Sequence, residues 1–231
     1  MKYGILSDLH GNQYALKQVL SFLKSNNVNQ LLILGDFVGY YYGIKDILKM
    51  LKPWNLLSIR GNHEQILKEI FLGKANKVQI ISKYGSAHYL AIKELADSEI
   101  QYLITLPKTI EISIGSNKVL LCHSNPWLGK EYIYPDTNIK TLLRFGDLSY
   151  DYIFFGHSHY PFSFKVKNTV CINPGSVGQP RDKYSLPSVL IFNSENEVFS
   201  FHKIPFNKKL LLSEIKLIDP NHKHLTSVLE R

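Results

Sequence analysis

The sequence predicts an α/β fold, one domain with two packed sheets. Two observations carry this. Five short apolar runs each end in a group able to hold a metal ion. The chain also changes midway, from alternating strand and helix patterns to strands almost alone. Residues 2–6 run into Ser7-Asp8-Leu9-His10-Gly11, and Leu31-Leu32-Ile33-Leu34 runs into Gly35-Asp36. Leu56-Leu57-Ser58-Ile59 leads to Arg60-Gly61-Asn62-His63-Glu64. Residues 118–122 lead to His123-Ser124, and Tyr152-Ile153-Phe154-Phe155 to Gly156-His157-Ser158-His159. Each run has the length and apolar content of a buried strand. Ligands of open α/β sheets bind beyond the carboxyl ends of strands, so the five ends point to one shared site.

Taken in order, residues 12–25 have helical spacing in Leu16, Val19, Leu20 and Leu23, with Asn12 as N-cap. Residues 44–51 form a shorter helix that stops near Pro53. Up to Ile59 this alternation implies parallel strands joined by right-handed crossovers. Residues 62–106 lack strand signals and read as helices that cover one side of the sheet or roof the site. Residues 111–114 and 118–122 flank Gly115-Ser116-Asn117, a hairpin signal. From Tyr152 the pattern is strand at 162–166, 169–172, 188–192 and 198–202, with a turn at 193–196. The domain spans residues 1–231, and the part after about residue 205 is a C-terminal extension with a short helix.

The composition suits a soluble globular chain: 45% of the 231 residues are hydrophobic and 20% charged. Cys122 and Cys171 are too few for a disulfide framework. No apolar run approaches the roughly 18 residues of a membrane span. Asp8 and His10 interrupt the only apolar stretch a signal peptide could use. A cytoplasmic protein is expected. Lys and Arg total 27 against 19 Asp and Glu, a net charge of +8. That suits an anionic substrate. The lysines are scattered rather than clustered, so nucleic acid is not the favoured partner.

Asp8 and His10 stand two residues apart, a spacing that puts both on one face of an extended backbone. His157 and His159 repeat it. Asp36, Asn62 and His123 each add one more group. Seven oxygen and nitrogen ligands exceed what one catalytic ion takes, and they suit two ions sharing a carboxylate. Such ligands fit Mn, Fe, Zn or Co. Paired ions roughly 4 Å apart are a known device for phosphoryl transfer. His63 follows Asn62 but points elsewhere, which suits a proton donor to the leaving group.

As a series, Asp8-x-His10, Gly35-Asp36, Gly61-Asn62-His63-Glu64, His123 and Gly156-His157-Ser158-His159 resemble the calcineurin-like metallophosphoesterase superfamily. The run Asn173-Pro174-Gly175-Ser176-Val177-Gly178-Gln179-Pro180-Arg181-Asp182 resembles its compact bacterial and archaeal branch. The resemblance covers residues 1 to about 205. It implies a four-layer α/β/β/α sandwich with a dimetal site at the sheet edges. By position, Asp8, His10 and His159 would hold one ion and Asn62, His123 and His157 the other, with Asp36 bridging. Manganese is favoured. His63 would be the acid or transition-state donor in hydrolysis by a metal-bridging hydroxide.

Two departures from the family pattern bear on substrate. Phosphoprotein phosphatases carry a second Asp followed by Arg and Gly after the Gly-Asp pair, where this chain has Phe37-Val38-Gly39-Tyr40. The branch continues with Gly and Pro where Tyr41 and Tyr42 stand here. Tyr40, Tyr41 and Tyr42 could stack a base or pack on a neighbouring helix. Arg181 could contact substrate or pair with Asp182. Cys122, one residue before His123, points to the opposite face, into the core. The expected activity is hydrolysis of a phosphodiester or phosphomonoester in a small nucleotide-like molecule. The alternatives are a binding or regulatory protein on the same fold, and a nuclease or nucleic-acid-binding module.

Overall fold

A computed structural model describes residues 1–127 and 131–230. The first part alternates: β1 (Lys2–Leu6), α1 (Gln13–Ser25), β2 (Gln30–Ile33), α2 (Ile44–Leu51), β3 (Asn55–Ser58). The helical excursion is four helices, α3 (Asn62–Phe71), α4 (Lys77–Tyr84), α5 (Ala87–Glu94) and α6 (Asp97–Thr105). The hairpin follows as β4 (Thr109–Ile114) and β5 (Asn117–Cys122). Then come α7 (Ile139–Leu143), β6 (Tyr152–Phe154), β7 (Pro161–Val166), β8 (Thr169–Pro174), β9 (Ser188–Asn193) and β10 (Val198–Lys203). The chain closes with α8 (Lys208–Ile218) and α9 (Lys223–Ser227), two helices where the sequence suggests one.

The strands form two five-stranded sheets, ordered β10-β9-β1-β2-β3 and β4-β5-β6-β8-β7. β1, β2 and β3 run parallel, as do β5, β6 and β8. Ile5, Leu32, Leu34 and Leu190 of the first sheet meet Val119, Leu121, Phe154 and Ile172 of the second. On the first sheet's other face, Leu6, Leu31 and Ile33 pack against Leu16, Val19, Ile47 and Leu103 of the helices. Burial on both faces is why these strands read as unbroken apolar runs. Each such side chain contributes about 1.5–3 kcal/mol of transfer free energy.

The outer face of the second sheet is covered thinly. Phe145, in a short 3-10 turn, and half-buried Trp127 and Leu142 lie over Leu120, Ile153, Phe155 and Cys171. The architecture is thus two sheets flanked by helices, with one flanking layer much thicker. Cys122 is buried in that thin-layer core, with its Sγ 3.8 Å from the Phe154 carbonyl. Among the described residues, no helix is long and apolar enough to cross a membrane.

Candidate metal centre

The parallel strands of both sheets end on the same side, and their following loops converge. Asp8 and His10 come from the loop after β1, Asp36 from that after β2, and Asn62 from the start of α3 after β3. His123 directly follows β5; His157 and His159 follow β6. Asp8, His10, Asp36, His123, His157 and His159 are all buried, and Asn62 half-buried. The pairing of Asp8 with His10, and of His157 with His159, does not come from an extended pleat. The strands stop first, and all four residues have left-handed backbones, with φ of 55°, 48°, 69° and 65°. Asp36 (57°) and Tyr40 (62°) share that conformation. Non-glycine residues rarely adopt it and hold it only when their surroundings over-determine them.

Those surroundings are visible. The buried Glu64 carboxylate accepts four backbone N–H groups: Asp36 at 2.9 Å, Phe37 at 2.8 Å, Val38 at 3.2 Å and Gly61 at 2.8 Å. One carboxylate therefore ties the β2 loop to the start of α3. Burial, and then the Asp36 charge, push Glu64 up to about 7. Asp36 Oδ1 accepts the His63 N–H at 2.8 Å, and Asp8 Oδ2 that of His157 at 3.1 Å. Gly39 (φ 93°) is required where it stands, since a Cβ there would lie 2.0 Å from His63 Nδ1.

The histidine rings are fixed in the way metal ligands are. His10 Nδ1 donates to the Val38 carbonyl (3.1 Å), His123 Nδ1 to that of Leu34 (2.7 Å), and His159 Nδ1 to that of Gln179 (2.6 Å). A carbonyl only accepts, so each ring turns its Nε2 lone pair into the site. Nε2 of His10 and Nε2 of His159 face each other at 3.1 Å. Beside them Asp8 Oδ1, 3.3 Å from His159 Nε2, is buried without a hydrogen-bond partner. Lone pairs and an orphaned carboxylate oxygen turned to one space call for a cation. Asp36 Oδ2 lies 3.2 Å from His123 Nε2 and 3.8 Å from His10 Nε2, between the two histidine groups. His123 Nε2 is also 3.1 Å from Asn62 Oδ1. Burial alone would lower His123, but the Asp36 carboxylate overrides it and holds the ring up to about 10, so an ion taking its Nε2 lone pair would displace a proton there.

Asp8, His10 and His159 form one group able to hold a metal, and Asp36, His123 and His157 a second. A third, His10, Asp36 and His63, overlaps both. The structure thus brings all seven sequence-predicted ligands and His63 together. Tyr40 and Arg181 also line the pocket over them, a cavity of about 90 Å³. Arg181 donates to Tyr40 Oη at 3.2 Å and to Gln179 Oε1 at 2.9 Å. It does not pair with Asp182, whose partner is Lys203 at 2.6 Å. Tyr41 is placed elsewhere. Its ring is 1% exposed among Ala87, Leu211 and Leu225, and its hydroxyl donates to the Leu225 carbonyl at 3.2 Å. The substrate contact expected of it gives way to packing on the C-terminal helices.

Several neighbours carried no sequence signal. Tyr132 stacks on His157, with ring centroids 4.0 Å apart and planes at 18°. Lys83 and Tyr84, at the end of α4, line the pocket with it. His88 Nε2 is 3.1 Å from His63 Nδ1, with the rings stacked at 13°. These contacts join segments far apart in the chain, so no local spacing announces them.

The calcineurin-like phosphoesterase superfamily domain matches residues 1–197. The chain belongs to this superfamily. An uncharacterized protein of Methanocaldococcus jannaschii is 32% identical over 232 residues, covering 91% of this chain and 90% of its own. A metallophosphoesterase of Sphaerobacter thermophilus has a similar structure: TM-score 0.80, 26% identity, covering 100% of this chain and 99% of that one. A hypothetical protein of Pyrococcus horikoshii shares the fold with a TM-score of 0.81 at 21% identity, covering 99% and 97%. The family membership and the buried His/Asp cluster together support a phosphoesterase.

Proposed function

We propose that this protein is a metal-dependent phosphoesterase with two ions, manganese favoured, and that it prefers phosphodiesters of small nucleotide-like molecules. The observation that carries the reading is the pair of buried His/Asp groups on either side of Asp36. Asp8, His10 and His159 would hold one ion, and Asn62, His123 and His157 the other, with Asp36 shared. Bound ions supply Lewis-acid charge that activates water and neutralises phosphate oxygens.

The chain's own groups supply position and a proton donor. A cavity of about 90 Å³ admits little beyond the reacting phosphoryl group, so the rest of a substrate lies at its mouth. There Tyr40, Tyr84 and Tyr132 offer aromatic faces, and Lys83 and Arg181 offer positive charge. Phe37-Val38-Gly39-Tyr40 puts no arginine directly after Asp36 to clamp a dianionic monoester, which favours the monoanionic diester.

Burial holds His63 well below its ordinary value, so its ring is neutral near pH 7. His88 Nδ1 has no hydrogen-bond partner, which fits a bare lone pair there and a proton on Nε2. His88 then donates to His63 Nδ1, leaving the His63 proton on Nε2. A neutral N–H donor stabilises a departing alkoxide in the transition state.

The test is a reconstituted, Mn-loaded protein assayed on bis-p-nitrophenyl phosphate and p-nitrophenyl phosphate. The diester should show the higher kcat/KM. His63→Ala should slow an alkyl ester by about 10²–10⁴-fold and a p-nitrophenyl ester much less, with metal content unchanged. Equal loss on both esters would make His63 a phosphate binder, and lost metal would make it a ligand. A clear monoester preference overturns the substrate assignment.

A further inference from the structure

The matched family domain stops at residue 197, yet the chain beyond it reaches the roof of the pocket. That roof is α4, which buries none of its residues and ends in Lys83 and Tyr84 at the pocket mouth. A helix with so little buried surface is held weakly by its own packing, chiefly the Tyr84 ring edge-on to His63 at 4.8 Å, Tyr40 at 5.7 Å and His88 at 5.8 Å.

Its anchors come from the C-terminal helices. Asp219, 4% exposed at the end of α8, accepts the Ser86 N–H at 2.8 Å and the Ser86 hydroxyl at 2.7 Å. It also accepts the Tyr42 hydroxyl at 2.9 Å. His222 Nε2 donates to the Ile81 carbonyl, inside α4, at 2.8 Å. The helix break between α4 and α5 is shaped to this carboxylate. Gly85 has φ 75°, and a Cβ there would stand 2.7 Å from Asp219 Oδ2 and 3.1 Å from Leu225 Cδ1.

We propose that Asp219 is a positioning residue for substrate binding: it latches α4 through Ser86 and so holds Lys83 and Tyr84 over the phosphate site. The C-terminal segment thereby tunes affinity for the ester without touching the ligand cluster. The kinetic part rests on the phosphoesterase reading; the latch itself does not.

Asp219→Asn and the milder Ser86→Ala test it, by amide hydrogen exchange and by kinetics on bis-p-nitrophenyl phosphate. Ser86→Ala removes one hydroxyl from a half-buried position, so it keeps the test open where Asp219→Asn fails to fold. Exchange should speed up at residues 77–86 alone, by about tenfold. KM should rise about tenfold for Asp219→Asn, with kcat within about twofold and metal content unchanged. In a Lys83→Met background the same substitution should leave KM unmoved. Unchanged exchange at residues 77–86 overturns the latch. Faster exchange with KM constant overturns the link to substrate, and equal KM increments in both backgrounds overturn the route through Lys83. If the wild-type protein hydrolyses no phosphate ester, the phosphoesterase reading falls, and the exchange data still decide the latch.

Discussion

On the floor of the pocket, Asp8, His10 and Asp36 are buried, left-handed in backbone and tied down by main-chain groups. On its roof, α4 buries no residue and hangs from a carboxylate some 130 positions along the chain. The floor is built from sheet ends, where parallel strands fix the spacing of neighbouring loops. Glu64 then collects four N–H groups that would otherwise be stranded in the core. The roof is built from helices that share little core with the sheets. Chemistry that needs ligands placed to within a fraction of an ångström sits on the first. On the proposed reading, recognition, which can adapt to what binds, would sit on the second.

The sharpest break of this comparison is at the floor. Asp36 faces histidines of both groups, so Asp36→Asn should lower kcat/KM by at least about 10³-fold, several kcal/mol of transition-state stabilisation. Metal analysis should show more than one ion's worth of binding lost. Full metal content with near-normal turnover would show that Asp36 is not shared.

The second prediction concerns His88, which joins floor to roof. Burial pushes its imidazole from 6.5 down to about 4. With the folded pKa below the unfolded one, the unfolded chain binds more protons between these values. The stabilisation is therefore complete above pH 6.5 and is lost as pH falls through about 4. The whole window is worth about 3 kcal/mol. Thermal melts of the wild type and His88→Gln across pH 4–7 should differ most at the top of the range and converge toward pH 4. Parallel curves would mean that His88 titrates normally.

What could be read from the sequence follows the same division. The floor was legible because its signals are local: five apolar runs, one ending in Asp-x-His, one in His-x-His, and three in Gly-Asp, Gly-Asn-His or a single His. Helix ends were legible for the same reason; Asn12 accepts the Ala15 N–H at 3.0 Å, as its N-cap reading requires. The cause of convergence was not. An i, i+2 argument assumes a pleat, and the structure uses left-handed residues past the strand ends. The roof was nearly illegible. Lys83, Tyr84, His88 and Tyr132 owe their places to contacts between distant segments. Nothing in the sequence around Asp219 sets it apart from other acidic residues.

The smallest effect tests Tyr41, which packs on the C-terminal helices rather than lining the pocket. Tyr40 lines the pocket, while Tyr41, its neighbour, packs against Leu211 and Leu225. Tyr41→Phe keeps the ring and removes one buried hydrogen bond to Leu225. It should cost about 1 kcal/mol of stability, because a neutral hydrogen bond is worth that much net and the orphaned carbonyl adds its own desolvation. For a chain of this size that is a fall of about 2–4 °C in Tm. KM and kcat for both nitrophenyl esters should stay within error. The partner substitution Arg181→Met, in a side chain that lines the pocket, should do the reverse, raising KM with Tm nearly constant. A rise in KM for Tyr41→Phe without a fall in Tm would return Tyr41 to the substrate wall and blur the line between packing and recognition in this loop.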